Sequence, residues 1–426
     1  MTMLILLIIT FIFLVFLHYK KYTFNTRTVL GLVLGITVGS LYNITNQDSG
    51  SFIQMSNILG NGYISLLKML VVPIVLTSIV HSIINLKDHK SEYIIKVAYK
   101  SIGILLVLTG ISALIGAGVA IFANLGKGLD IESITGVASK HLTPTSFSDT
   151  ILSFLPDNVF NQMSTNNVMA IVIFAIILGF SILMAHREDE KLAAPFINFM
   201  NSAFFVIKKL AKMVIGLTPY GVLGLMVQIS TTLNQKTITT VIYFIFACYV
   251  AMLIVYAMHI ILLLIFKTDL KKFYKYTWGT LLIASTSRSS MVTLPVTIEG
   301  LNKYGISETI STFTPTIATT LGMNACAGVF PAVLAIMAMQ SIGIPITFSI
   351  VFTMAFICML ASLGVSGIPG TAYVAAGIVF SYLALPWALI GLIIGVDAIV
   401  DSFRTPLNIH GGMTTAIIVD KTTPKT

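Results

Sequence analysis

The chain has 426 residues, of which 56% are apolar and only 10% charged, and its mean hydropathy is +0.94. A soluble domain carries about 25% charged residues, so this composition excludes a soluble globular class and marks a polytopic membrane protein. The formal net charge of +9 then reads as basic cytoplasmic loops rather than as a nucleic-acid-binding surface.

The apolar runs come in order at residues 3–17, 28–44, 62–84 and 94–123. A polar loop rich in Ser, Thr and Asp follows at 124–166, then further runs at 168–185, 199–229 and 239–266. The first run is similar to the apolar core of a signal peptide. No basic residue precedes it, and "HYKKY" follows without a small-residue cleavage site, so it reads as an uncleaved helix. Beyond residue 266 the pattern is less regular, interrupted by "STSRSSMVTLP" and "ASLGVSGIPGTA". Cys248, Cys326 and Cys358 lie in apolar runs without CxxC spacing, which suggests neither a metal site nor a disulfide framework. No Walker A, HExxH or GxSxG sequence is present, which argues against an ATP-driven pump or a membrane hydrolase.

Lys and Arg set the orientation. Lys20, Lys21 and Arg27, then Lys87, Lys90, Lys96 and Lys100, then Arg187 and Lys191, then Lys267, Lys271, Lys272 and Lys275, and finally Lys421 and Lys425 fall on one side. The opposite loops carry Lys127, Lys140 and Lys236. The richer side is cytoplasmic, which puts the N-terminus outside and the C-terminus inside. Lys275 and Lys303 flank "STSRSSMVTLP", so that segment enters and leaves on the same side, as a re-entrant hairpin. The same count makes "SLGVSGIPGTA" a second hairpin from the opposite face. Non-helical backbone at membrane depth survives where protein or a water-filled cavity solvates it. Paired broken segments from opposite faces build midplane sites in secondary transporters.

The stretch "GVDAIVDSFRTPLN" places charges within an otherwise apolar C-terminal third. Asp397, Asp401, Arg404 and Asn408 are spaced 4, 3 and 4, which puts them on one helix face; Thr405 adjoins it. A charge at the bilayer centre costs about 2.5–3.5 kcal/mol, so such groups are paired, hydrated or functional. Asp401 and Arg404 can neutralise one another as i,i+3 neighbours, but Asp397 still needs a partner. The functional reading is a two-ended site in which Asp401 holds an ammonium and Arg404 a carboxylate. Ser289 and Ser290 offer free N–H groups at the first hairpin tip, or simply cap a turn. Gly367, Ile368, Pro369 and Gly370 let the second hairpin's backbone approach a ligand, or form an ordinary loop. Between the hairpins, "TTLGMNACAGVFP" reads as a helix broken at mid-membrane, exposing carbonyls to a cation, or as close small-residue packing.

These ordered motifs ("SRSSMVTLPVT", "YGISETISTF", "MNACAG", "GVSGIPG" and "DAIVDSFRTPLNIHGGMTT") resemble the dicarboxylate/amino acid:cation symporters, over about residues 28–419. The resemblance implies an all-α polytopic membrane protein of the glutamate-transporter-homologue fold, with two opposed re-entrant hairpins and an extra N-terminal helix. It implies a homotrimer in the cell membrane whose transport domain moves as an elevator. The implied division is an extra helix and linker at 1–27, scaffold helices at 28–92, a transport-domain helix at 93–124, an extracellular loop and scaffold helices at 125–236, a transport domain at 237–419 and a cytoplasmic tail at 420–426. The extra helix and "MNACAG" are similar to the branch of L-cystine uptake proteins.

By resemblance, Asp401 binds the substrate amino group and Arg404 a side-chain carboxylate. Asn408 and Ser290 lie around the α-carboxylate, and Cys326 takes the place of a threonine. The positions matching cation sites are Thr109, Gly322, Asn324, Asp397 and Asn408. The departures are specific: the family's "NMDGT" reads "GMNAC", its "NVxGD" reads "NIHGG", and a helical serine becomes Gly110. Two anionic sodium ligands are therefore missing, which makes coupling to H+ or to fewer Na+ ions plausible. Asp397, Asp401 and the nearby His410 are the groups for proton handling, though a lone His at a membrane edge is more often structural. No cofactor is implied.

The substrate expected from the branch is L-cystine, with Gly322, Ala325 and Gly412 leaving room for a longer ligand. The same Arg404 also fits glutamate or aspartate. A C4-dicarboxylate carrier has no use for Asp401 as an ammonium partner. A channel normally builds charged rings by subunit symmetry, whereas here one chain supplies both signs at one site. An enzyme needs a nucleophile–base pair or metal ligands, and the scattered histidines supply none.

Overall fold

The computed structural model describes residues 2–45, 50–84, 92–127, 152, 155–165, 167–231, 235–364 and 372–423. Its elements are α1 (Thr2–Tyr19), α2 (Phe24–Thr45), α3 (Gly50–Ile84), α4 (Glu92–Phe122), the short α5 (Val159–Ser164), α6 (Val168–Glu188), α7 (Glu190–Gly216), α8 (Thr218–Thr231) and α9 (Gln235–Ile265). Then come α10 (Leu270–Ser287), α11 (Ser290–Tyr304), α12 (Glu308–Ala318), a π-helical turn (Asn324–Val329), α13 (Phe330–Ser341), α14 (Phe348–Ala361), α15 (Ala372–Tyr382), α16 (Ala388–Ile394) and α17 (Asp397–Thr422). Among the described residues there is no strand. Among the described residues seven helices are long and apolar enough to cross a membrane, or eight if the bent pair α7 and α8 is one span.

Two expectations need correction. The run at 62–84 is the second part of a longer helix, because α3 begins at Gly50. Its polar first turns have low hydropathy, yet Phe52, Ser56, Gly60 and Tyr63 recur at helical spacing and are buried. Gln228 Nε2 ties them to α8 by donating to the Ser56 carbonyl at 2.7 Å. The run at 199–229 is two helices, α7 and α8, bent by 45°. Pro219, three residues past Gly216, has no N–H to continue the α7 ladder, while it is well tolerated in the first turn of α8.

The first hairpin reverses at Arg288, whose φ of 50° is left-handed. The Thr280 hydroxyl donates to the Val296 carbonyl at 3.3 Å, which fixes α10 and α11 as antiparallel partners. α14 packs on α15 as the second pair; its tip, with Gly367, Ile368, Pro369 and Gly370, lies outside the described residues. The exposed apolar side chains of α9, among them Tyr243, Phe246, Leu253 and Ile261, form a surface suited to lipid. At one end of the molecule the Ser307 N–H reaches Asp420 at 3.4 Å and Lys100 donates to the Thr422 carbonyl. The start of α12, the first half of α4 and the end of α17 therefore share a side.

The expected helix break is present. Gly322 has φ +69°, and a Cβ there would overlap Leu105 of α4. Only glycine adopts this conformation without cost, and the missing side chain lets α4 lie against the broken segment. Gly322→Ala is expected to lose about 1–2 kcal/mol from left-handed strain plus about 1–3 kcal/mol from overpacking. A fall in the melting temperature of the detergent-solubilised protein checks it; an unchanged value rejects the tight packing.

Candidate transport site

The one-faced array on α17 forms as its spacing demands. Asp397, Asp401, Arg404, Thr405 and Asn408 are all buried, while Ile399 on the opposite side is 52% exposed. Arg404 is the hub. Its Nη2 lies 2.6 Å from Asp397 Oδ1 and 3.0 Å from Asp401 Oδ1, so Asp397 finds in Arg404 the partner the sequence left open. The guanidinium stacks over Phe330, 4.3 Å from the ring centroid, a cation–π contact. Among the described residues Arg404 Nε and Nη1 have no hydrogen-bond partner. A 1%-exposed guanidinium with unpartnered donors has unused capacity for an anion.

Two groups join this cluster that the sequence reading passed over. Arg288, at the reversal of the first hairpin, lies with its Nε 3.8 Å from Asp401 Oδ2. Tyr373 of α15 neighbours Asp397. The signal for Arg288 was available: a single arginine within "STSRSSMV", set in an apolar segment. With Arg288 counted, two carboxylates face two guanidiniums and the buried cluster is formally neutral. That balance is what makes four charges tolerable at this depth.

Asn408 faces the broken segment. Its Oδ1 accepts from Ala325 N at 2.8 Å and Cys326 N at 3.4 Å, and its Nδ2 donates to Cys326 Sγ at 3.0 Å. It thus satisfies amides that the break leaves without helical partners. Thr109 and Asn324 are brought together, with Asn324 Nδ2 donating to Thr109 Oγ1 at 3.3 Å. Asn324 Oδ1 is buried and has no partner among the described residues, an oxygen of the kind a hard cation takes. Asp397 sits with Arg404 rather than with this pair. Ser289 occupies the N-cap position of α11 at the hairpin tip without a side-chain capping bond, and Ser290 meets Asn408 across a cavity of about 10 Å³, which has room for one water.

Two readings fail. Gly322 and Gly412 do not open space for a longer ligand: a Cβ at Gly322 would overlap Leu105, and one at Gly412 would come within 2.8 Å of the Ala318 Cβ. Their small size serves helix packing. Nor is His410 a lone residue at an edge. It is fully buried, with its Nδ1 3.3 Å from His259 Nδ1 and its Nε2 3.0 Å from the Tyr274 hydroxyl.

An all-helical membrane protein with opposed broken elements around a buried, charge-balanced site has the architecture of a secondary transporter. The sequence pattern of the sodium:dicarboxylate symporter family matches residues 24–422, and the chain belongs to that family. It is 34% identical to an uncharacterized symporter of Haemophilus influenzae, over 97% of each chain. It is 31% identical to the L-cystine uptake protein TcyP of Bacillus cereus, over 95% of this chain and 91% of that one. The TcyP of Bacillus licheniformis is likewise 31% identical, over 96% and 92%. The family and these relatives are transporters, so this chain is a multi-pass membrane symporter and not an enzyme.

Proposed function

We propose that this symporter imports L-cystine. The observation that carries the reading is Arg404, buried between two aspartates with donors still open. In the unliganded cluster the charges satisfy one another. An arriving amino acid brings its own pair: its ammonium takes Asp401 and a carboxylate takes Arg404, so both protein charges exchange one partner for another. Cystine has a second carboxylate at its far end, which suits a site with guanidiniums on both α17 and the first hairpin. The names of the TcyP relatives support cystine over a simple diacid.

The driving ion is Na+ or H+. Thr109 and Asn324 are the groups for a cation. Asn at 324 and Gly at 412 leave fewer carboxylates than the family pattern, which favours weak Na+ sites or a proton. Residues 93–124 and 237–419 move as the carrying unit against 28–92 and 125–236, within a homotrimer whose C-terminus is cytoplasmic.

Uptake of labelled cystine into proteoliposomes, with Na+ and H+ gradients imposed separately, tests this. Saturable uptake that resists glutamate, aspartate and succinate is expected, and the effective gradient names the ion. Uptake of aspartate or glutamate without cystine would make Arg404 the reader of a short acidic side chain instead.

A further inference from the structure

A cavity of about 720 Å³ lies between α3 and α7 on one side and α4, α11 and α12 on the other. Its size is that of a small-molecule pocket; apolar side chains such as Phe204, Met291, Leu294, Phe313 and Ile317 supply most of its wall, and a polar ridge crosses it. Thr309, Thr312 and Thr316 recur along α12 at helical spacing, and Thr319 and Thr320 continue the polar ridge beyond the helix end. Glu308 stands at the start of this ridge, and Lys208 of α7 lines the same cavity from the opposite wall. The described contacts give the Glu308 carboxylate no hydrogen bond or ion pair. The Lys208 ammonium donates to Met291 Sδ at 3.3 Å and lies 5.9 Å from the Phe204 ring centroid. A thioether is a weak acceptor, so this ammonium has capacity for a better one. His81 also lines the cavity but is engaged, bonded to Asn201 Oδ1 at 2.8 Å and stacked on Phe204.

The cavity adjoins the α17 site. Leu294 and Thr319 line both it and the one-water cavity that touches Ser290, Asn408 and Gly412. A solute in the larger space is separated from the α17 site by those two residues and the small gap behind them. It extends along α12 from Glu308, and the hairpin residues that line it, Met291 and Leu294, belong to the first turns of α11.

We propose that this vestibule is a second, low-affinity amino-acid site, in which Lys208 takes the substrate carboxylate, Glu308 its ammonium, and the α12 threonine hydroxyls the remaining polar atoms. It rests on the proposed cystine reading and supplies the station between the α17 site and bulk solvent. A zwitterion leaving Asp401 and Arg404 exchanges one carboxylate and one cation for another such pair, without crossing an apolar gap as an unpaired charge.

Saturation-transfer NMR with cystine on the full-length protein in nanodiscs tests this with three samples: wild type, Asp401→Asn, and Asp401→Asn combined with Lys208→Gln. Transfer is expected in the first two and lost in the third. Glu308→Gln in place of Lys208→Gln should produce the same loss. Loss already in Asp401→Asn overturns the second site and leaves the α17 reading standing. Transfer that survives both second substitutions removes Lys208 and Glu308 as its ligands and overturns the proposal. No transfer in wild type sinks the cystine reading and the vestibule proposal together.

Discussion

Replacing Arg404 by alanine is expected to abolish cystine uptake while sparing binding of small neutral amino acids such as alanine and serine. Arg404 touches both Asp397 and Asp401 and stacks on Phe330. Its removal therefore does two separable things. It deletes the carboxylate ligand, with an expected cost of about 3 kcal/mol or more, roughly a hundredfold in affinity. It also leaves Asp397 without a counter-charge, and breaking a buried pair destabilises by about 3–5 kcal/mol. The double variant Asp397→Asn/Arg404→Ala separates the effects. It retains the Asp401–Arg288 pair and restores neutrality, so its melting temperature should recover towards wild type. Cystine uptake should not recover. If uptake returns with stability, Arg404 is only the counter-ion of Asp397, and the carboxylate is read elsewhere.

The face of α17 is legible in the sequence because a 4, 3, 4 spacing fixes four side chains on one side of any helix that contains them. The break before Asn324 is legible for a similar local reason: Gly322, Ala325, Ala327 and Gly328 make a weak helix centre. The hairpins follow from charge counting, since Lys275 and Lys303 are too close in sequence for a span and its return. What the sequence does not show is pairing between distant elements. Arg288 meets Asp401, and His259 meets His410 over 151 residues; no local pattern encodes either contact. The room assigned to Gly322 and Gly412 fails for the same reason. A glycine in sequence is an absent side chain, and only the neighbour that fills its place, Leu105 or Ala318, tells packing from cavity. Averaged hydropathy also hides the polar start of α3 and passes over Pro219, whose missing N–H is the local cause of the bend.

The second large effect is a change of ligand class at Asp401. Asp401→Asn is nearly isosteric and removes one negative charge from a cluster that contains two carboxylates and two guanidiniums. The cluster then carries a net positive charge, with Arg288 having lost its partner at 3.8 Å and Arg404 retaining Asp397. An amino acid now meets a neutral amide oxygen in place of the Asp401 carboxylate for its ammonium, and an added repulsion from Arg288. Amino-acid binding at this site should weaken by roughly a hundredfold or more, about 3 kcal/mol, the usual penalty for truncating one side of a buried charge pair. A ligand without the ammonium meets the opposite balance. Dithiodipropionate, which is cystine without its two amino groups, keeps both carboxylates and the disulfide. It should bind Asp401→Asn better than it binds wild type, because two guanidiniums now share one carboxylate. Competition against labelled cystine in wild type, and direct calorimetric titration of the variant, give both affinities. An inverted preference establishes Asp401 as the ammonium ligand. Equal weakening of both compounds would mean that the substitution has collapsed the cluster, and that Asp401 holds Arg288 and Arg404 in place rather than the substrate.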